Sequence, residues 1–397
     1  MDRYLLERNI KLYQAFEACR EPIFWGPIVI LFLNKVAKMS LPEIFFMESV
    51  AIAALTILEI PTGALADLLG RKKTIFIGSL FFLLDAGFFA AATCPLMAWI
   101  GNFLWVIGFS LISGADSSML YDTLKALGRE DEYKKIQGRA VGYRMAIMAV
   151  TSLAGGFLAE VYLRLPAILG LSTLIVNCFV TAAFVEPPSA ERSDRYCWRA
   201  HLKVAKDSLK SVLRNRKVKW LILFSATLAI ASKLWFFTYN PYFELVKLPL
   251  PMFGVIFFCL NVVAAASSFM ANGIHRKMGD VGSIVSMVAL IGLPIVAMGM
   301  WPILPFAFLV LLQNFARGYL KPFVEHLLHG CIESKTRATV ISIQSSVTSI
   351  GQAIGLAATG WYLAKFSLPS FLIVLGIAAL ILGLSLVSIF NRTFKTV

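Results

Sequence analysis

The chain is 397 residues long, 58% hydrophobic and only 15% charged, with a formal net charge of +14. Soluble domains carry about a quarter charged residues, and a single core surrounded by water stops growing below this length. This composition excludes an ordinary soluble enzyme and calls for lipid as the solvent; the cationic excess is no sign of nucleic-acid binding, because it falls in connections on one side of a series of apolar runs.

Those runs lie at 11–34, 44–66, 74–94, 97–120, 139–162, 165–185, 219–240, 251–273, 281–300, 303–327, 338–363 and 368–390. Each is long enough to cross a bilayer as a helix, which takes about 20 residues. None shows the period-two alternation of a barrel strand. The expected fold is an all-α membrane protein with twelve transmembrane helices in two pseudo-symmetric six-helix bundles. The charged opening Met1 to Lys11 leads into an apolar stretch too long for a secretory leader, so the first helix is expected to be its own insertion signal. With the N-terminus inside, Arg71, Lys72 and Lys73, then Lys125, Arg129, Lys134, Lys135 and Arg139, then Arg276 and Lys277 all face the cytoplasm. The outer connections hold only Lys35, Lys38, Arg164, Lys247 and Lys365. This asymmetry places both termini in the cytoplasm of a cell with the chain in its inner membrane.

Run one carries Glu17, Arg20 and Glu21, with Pro22 next. Helical spacing puts the two carboxylates on one face, and a rise of about 1.5 Å per residue brings Glu21 near mid-bilayer. An ionisable group at that depth costs at least a few kcal/mol and marks either a proton relay or a static pair. Glu17, Glu21 and Asp85 of run three are therefore the candidates for proton coupling, with Asp85 read equally as a helix–helix contact. Asp116, near the inner end of run four, reads as snorkelling toward water. Arg20, Arg144 in run five and Lys233 in run seven are bases able to converge on an anionic substrate. Arg317, in run ten, is followed at steps of four by Lys321 and Glu325, a spacing that suits structural pairing. Trp25, Phe237, Tyr239, Asn240, Asn261, Asn314, Gln344 and Arg317 itself complete the expected cavity lining. The aromatic cluster from Trp235 to Tyr242, with Pro241 as a kink, also fits an interfacial belt.

Pro187 to Lys217 is the one long polar stretch and divides the chain into an N-terminal bundle at 1–187, a basic linker at 188–217 and a C-terminal bundle at 218–397. The linker reads either as a solvated tether or as an amphipathic helix on the anionic leaflet. A faint echo joins the halves. Gly138-Arg139-Ala140-Val141 opens run five and Thr336-Arg337-Ala338-Thr339 opens run eleven, and Gly63 to Lys73 has a degenerate counterpart in Gly273 to Asp280. Two related bundles with a site at their interface are a recurrent transporter plan.

Gly63-Ala64-Leu65-Ala66-Asp67-Leu68-Leu69-Gly70-Arg71-Lys72-Lys73, between runs two and three, resembles the signature loop of the major facilitator superfamily. Leu58 to Thr62 leading into it, Ser113 to Asp122 closing run four, and Arg337-Ala338-Thr339 are similar to that superfamily's bacterial drug-efflux branch. The resemblance covers essentially the whole chain. It implies a secondary transporter working by alternating access, with proton-coupled efflux of hydrophobic or amphipathic small molecules. It also implies a cytoplasmic latch of Gly63, Asp67, Gly70, Arg71 and Asp122, in which Arg71 pairs with Asp122 while Asp67 faces the positive end of helix eleven. Two departures weaken the antiport part: Gly155-Gly156 on run five lacks the family's preceding proline, and run four has no basic residue. The alternative is transport of a small anionic metabolite, metallophore or oxyanion by the intramembrane bases. A sensor would need a soluble signalling domain. No phosphate loop, nucleophile elbow, zinc-binding helix or dinucleotide fingerprint occurs, and the cysteines show no paired spacing. No enzymatic activity, cofactor or metal is therefore expected; the expected partners are a small-molecule substrate, protons and the bilayer, with the chain acting as a monomer.

Overall fold

Lipid offers no partner to a backbone N–H or C=O, so a spanning chain must pair those groups within its own helices. The computed structural model, which describes residues 3–21, 24–188, 215–331 and 334–394, is helical throughout, with no strand among the described residues. Most of the linker expected at 188–217 lies outside the described residues, as do the side chains of Glu325, His326, His329 and Arg337.

Run one is built from α1 (Arg3–Cys19) and α2 (Val29–Lys35), interrupted between them. α3 (Leu41–Leu69) and α4 (Arg71–Ala91) follow, then α5 (Pro95–Ile112) and α6 (Ala115–Leu127), which share run four, then α7 (Tyr133–Val161) and α8 (Leu165–Ala182). The second half holds α9 (Arg216–Phe237), α10 (Tyr239–Leu245), α11 (Leu250–Met300), α12 (Val310–Cys331), α13 (Ser334–Leu363) and α14 (Leu368–Phe394). Nine segments qualify as membrane-crossing by length and hydropathy alone. The other three crossings have identifiable reasons for escaping that criterion. One is hidden in α11, which counts as a single segment but holds two crossings, since Gly279 (φ 65°) breaks the helix between runs eight and nine. Run one is split, and α12 carries Arg317, Lys321 and Glu325 within its length. The protein is an all-α membrane protein with the twelve-helix plan that the hydropathy predicts.

Three local expectations are corrected. The connection between runs two and three is a single residue, because α3 continues to Leu69 and only Gly70 leaves helical geometry (φ 95°, ψ 155°) before α4 begins. Gly63 and Asp67 therefore sit inside a helix. Gly70 holds a conformation that side chains with a Cβ rarely adopt. In run seven the break falls at Thr238, ahead of the expected kink at Pro241. The cluster around it is no interfacial belt, since Trp235, Tyr239 and Tyr242 are fully buried.

The chain forms two compact units. Unit 1 comprises Met1–Ser40, Val50–Tyr196 and Leu250–Phe257, and unit 2 comprises Leu41–Ser49, Cys197–Pro249 and Phe258–Val397. Within unit 1, α4 packs along α5 and α8, and α1 packs against α6, α7 and α8. Gly78 and Gly108 let α4 and α5 touch backbone to backbone; a Cβ on Gly108 would stand 2.8 Å from the Gly78 carbonyl oxygen. Tyr13, Phe16, Phe82, Leu124 and Phe184 fill the core beside them. Within unit 2, α9 is the central helix, packed on α12, α13 and α14, and Trp220 Nε1 donates 2.7 Å to the Leu386 carbonyl. Large apolar side chains such as Phe179, Val161 and Phe269 point outward, as a surface facing acyl chains requires.

Candidate functional site

The ionisable groups of unit 1 gather where helices are interrupted. α1 ends at Cys19, so Arg20 and Glu21 follow its C-terminus, where unpaired carbonyls favour a cation. α5 ends at Ile112 and the chain turns through Gly114 (φ 84°), placing Asp116 in the first turn of α6, where a helix N-terminus favours an anion. Arg20 Nη1 donates to Glu17 Oε1 and to Asp116 Oδ2, both at 2.8 Å. Arg144 of α7 approaches Glu17 Oε2 at 3.3 Å and Glu21 Oε1 at 3.8 Å. Five charges are thus linked in series. Side-chain exposure rises from Glu17 (3%) and Arg20 (7%) through Asp116 (14%) to Arg144 (26%) and Glu21 (35%). Glu17 is the buried hub and Glu21 the open rim.

Arg20 pairs inside the protein, with Glu17 and Asp116. Asp116 faces that guanidinium instead of snorkelling to water. Asp85 is buried where α4 meets α5, against Gly101. Trp25 packs its ring on Phe89, with centroids 4.4 Å apart, and edge-on to Phe32.

The signature segment forms a second charged array. Arg71 Nη1 lies 2.8 Å from Asp67 Oδ1, and Arg71 Nε lies 3.7 Å from Asp122 Oδ2. Glu186, which no motif marks, caps α4: its carboxylate accepts the backbone N–H groups of Arg71 at 2.6 Å and Lys72 at 2.8 Å. The non-helical segment carrying Glu186 is held in turn by α1, because Asn9 exchanges two hydrogen bonds with the Val185 backbone (2.7 and 2.9 Å) and Arg8 donates to the Ala183 carbonyl. An acid immediately after the end of run six is the sequence signal for this role.

Unit 2 contains a cavity of about 520 Å³ between α9, α12 and α13. Arg317 and Lys321, one helical turn apart on α12, both reach it and are both exposed. α13 contributes the polar face Gln344, Ser345, Thr348, Ser349 and Gln352, with the Gln344 amide held by Ser225 Oγ at 2.8 Å. Leu320, Val324, Leu328 and Ile341 supply an apolar wall. Other expected lining groups are elsewhere in the unit. Tyr239 hydrogen-bonds Gln313, Asn314 donates to both, and all three are buried with Asn240. Lys233 lies over the Phe237 ring at 4.8 Å and within electrostatic reach of Glu48 and Arg317, and Asn261 is half-buried on α11. Among the described residues, no group of three His, Cys, Asp or Glu side chains is placed to hold a metal ion.

A family model described as Major Facilitator Superfamily matches residues 23–316. The uncharacterized MFS-type transporter YxaM of Bacillus subtilis (strain 168) is 22% identical over 391 residues, covering 94% of each chain. The multidrug efflux protein YfmO of the same organism is 23% identical over 261 residues, covering 60% of this chain and 57% of its own. Among solved structures, the nucleoside transporter NupG superposes with a TM-score of 0.79 at 12% identity, over 97% of this chain and 99% of that one. The POT family transporter PepTSo superposes with a TM-score of 0.74 at 14% identity, over 98% and 99%. At these identities the structural likeness concerns the fold alone.

Proposed function

Because this chain belongs to the major facilitator superfamily and is a multi-pass membrane transporter, not an enzyme, we propose that it is a proton-coupled secondary exporter of amphipathic small molecules, working by alternating access. The observation that carries the coupling is the ion cluster of unit 1. It holds three carboxylates, Glu17, Glu21 and Asp116, against two guanidiniums, Arg20 and Arg144. With every group ionised one negative charge is in excess, and a single bound proton neutralises the cluster. A net charge in a lipid-surrounded bundle is costly and a neutral cluster is not, so proton binding and release bias any conformational change that alters access to it. Glu21, at the open rim, is the entry point for the proton, and Arg20 fixes Glu17 and Asp116 in place. Export is supported by the likeness to YfmO, described as a multidrug efflux protein. In this reading the chain lies in the inner membrane with both termini cytoplasmic and acts as a monomer.

Proteoliposomes loaded with a pH-sensitive dye and challenged with amphipathic compounds of either charge test this directly. Wild-type protein is expected to move protons when a substrate is added. Glu21→Gln, which keeps the shape and removes the titrating group, is expected to abolish that movement while inserting normally. Compound-driven proton flux that persists in Glu21→Gln at the wild-type rate overturns the coupling role.

A further inference from the structure

The two units treat their cations differently. In the buried cluster of unit 1 both guanidiniums, Arg20 and Arg144, are matched to carboxylates. In unit 2, Arg317 and Lys321 have no carboxylate within salt-bridge distance among the described residues, although they share one cavity. Lys233 has Glu48 within electrostatic reach, so that acid is already opposed. Two cations one turn apart lie close enough to hold a single anionic group between them. The α13 wall adds donors, since the Ser345 and Ser349 hydroxyls make no hydrogen bond among the described residues. Leu320, Val324, Leu328 and Ile341 line the same cavity with apolar surface. A pocket of about 520 Å³ lined by both charged and apolar side chains falls in the size range of small-molecule sites.

We propose that this cavity is an anion-recognition site, in which Arg317 and Lys321 hold the carboxylate or phosphate of an amphipathic organic anion and the α12 wall holds its apolar body. Arg317 can present its planar fork to two oxygens at once, and Lys321 supplies a point charge beside it. This deepens the reading above by naming the substrate class, and it rests on that reading for the claim that the bound anion is transported. The binding itself stands independently. One ligand chemistry has two sources here, a soluble organic anion or the headgroup and chain of an anionic phospholipid.

Calorimetric titration of the full-length protein in phosphatidylcholine nanodiscs separates these possibilities, with empty discs as the partition control and hexanoate, phenyl phosphate and the uncharged hexanamide as probes. Saturable binding of the two anions is expected, with hexanamide weaker by at least about tenfold, as for loss of a charge-assisted contact. Arg317→Gln and Lys321→Gln are each expected to weaken the anions about tenfold, whereas Arg317→Lys, which keeps the charge, stays closer to wild type. If Arg317→Gln does not purify as a monodisperse protein, Lys321→Gln alone carries the comparison. Discs doped with phosphatidylglycerol decide the source: competition with hexanoate identifies a lipid headgroup, and unchanged affinity identifies a soluble ligand. Glu21→Gln should bind both anions normally, so a failure of proton coupling leaves this site standing. Absence of saturable anion binding, equal binding of hexanamide, or wild-type affinity in both Gln variants overturns the proposal.

Discussion

Replacing Arg20 with methionine keeps a long apolar stem and deletes a guanidinium whose side chain is 7% exposed. The change strands two acids. Glu17, 3% exposed, loses its 2.8 Å partner and keeps only Arg144 at 3.3 Å. Asp116 loses its cation but keeps the Ser117 N–H at 2.6 Å and the favourable N-terminus of α6. Removing one partner of a buried ion pair costs about 3–5 kcal/mol. The surviving contacts place Arg20→Met at the lower end, about 3 kcal/mol. Most of that cost is the uncompensated charge of Glu17, so adding Glu17→Gln should recover about 1–2 kcal/mol of it. Glu17→Gln alone should be only mildly destabilising, because it weakens the 2.8 Å contact to Arg20 but removes the one negative charge that the cluster holds in excess. Equilibrium unfolding in mixed micelles of dodecyl maltoside and sodium dodecyl sulfate, followed by tryptophan fluorescence, measures all three variants against wild type. Losses that add within about 0.5 kcal/mol, with no recovery in the double variant, would refute a coupled cluster.

Glu186→Ala leaves the Arg71 and Lys72 amides at the start of α4 without their acceptor. Loss of such a cap is expected to cost about 1–2 kcal/mol in the same unfolding assay, with Glu186→Gln losing less because it retains an acceptor oxygen. Asp67→Asn removes one of the two carboxylates that flank Arg71 while Asp122 remains. Asp67 is half exposed, so the stability change should stay below about 1 kcal/mol. Turnover in proteoliposomes should nonetheless fall severalfold with the order of substrate preference unchanged, and wild-type turnover would reduce this segment to a folding signal.

The twelve crossings were legible because hydropathy needs only a window of about 20 residues. The interruptions within them were not, since a window averages across a break. That averaging explains the misplacement of Asp116. On a straight helix it sits near the membrane edge, where snorkelling accounts for it. The turn at Gly114 instead makes it the first-turn acid of α6, aimed at Arg20. The same blindness hid the end of α1 at Cys19, so the spacing argument that put Glu17 and Glu21 on one helical face assumed a helix that stops short of Glu21. Both acids reach Arg144 although Glu21 lies beyond the helix. Glu186 was invisible because its partners are backbone amides, which carry no sequence signature. Arg317 was singled out, but its expected pairing with Glu325 concerns a side chain outside the described residues, and the cavity it shares with Lys321 forms where the consecutive helices α12 and α13 meet α9, far earlier in the chain.

Both charged regions lie on helices that depart from the simple apolar pattern, and a common physical reason connects them. A hydrocarbon solvent tolerates an ion only where the protein supplies its own solvation, through an opposite charge, a helix end or a polar cavity. Unit 1 uses the first two, with Arg20 and Asp116 at helix ends and each guanidinium matched to acids, so no permanent ligand charge can enter without breaking an existing pair. In the proposed coupling role, a proton is small enough to change one member of such a self-satisfied array without displacing another. Unit 2 uses the third, leaving Arg317 and Lys321 facing a cavity with polar and apolar walls, and a cavity of that kind accepts a ligand's charge without breaking a described ion pair. In the readings proposed above, ion coupling and ligand recognition therefore fall to different units. That division requires Glu21→Gln to spare anion binding and Lys321→Gln to spare the proton-binding cluster.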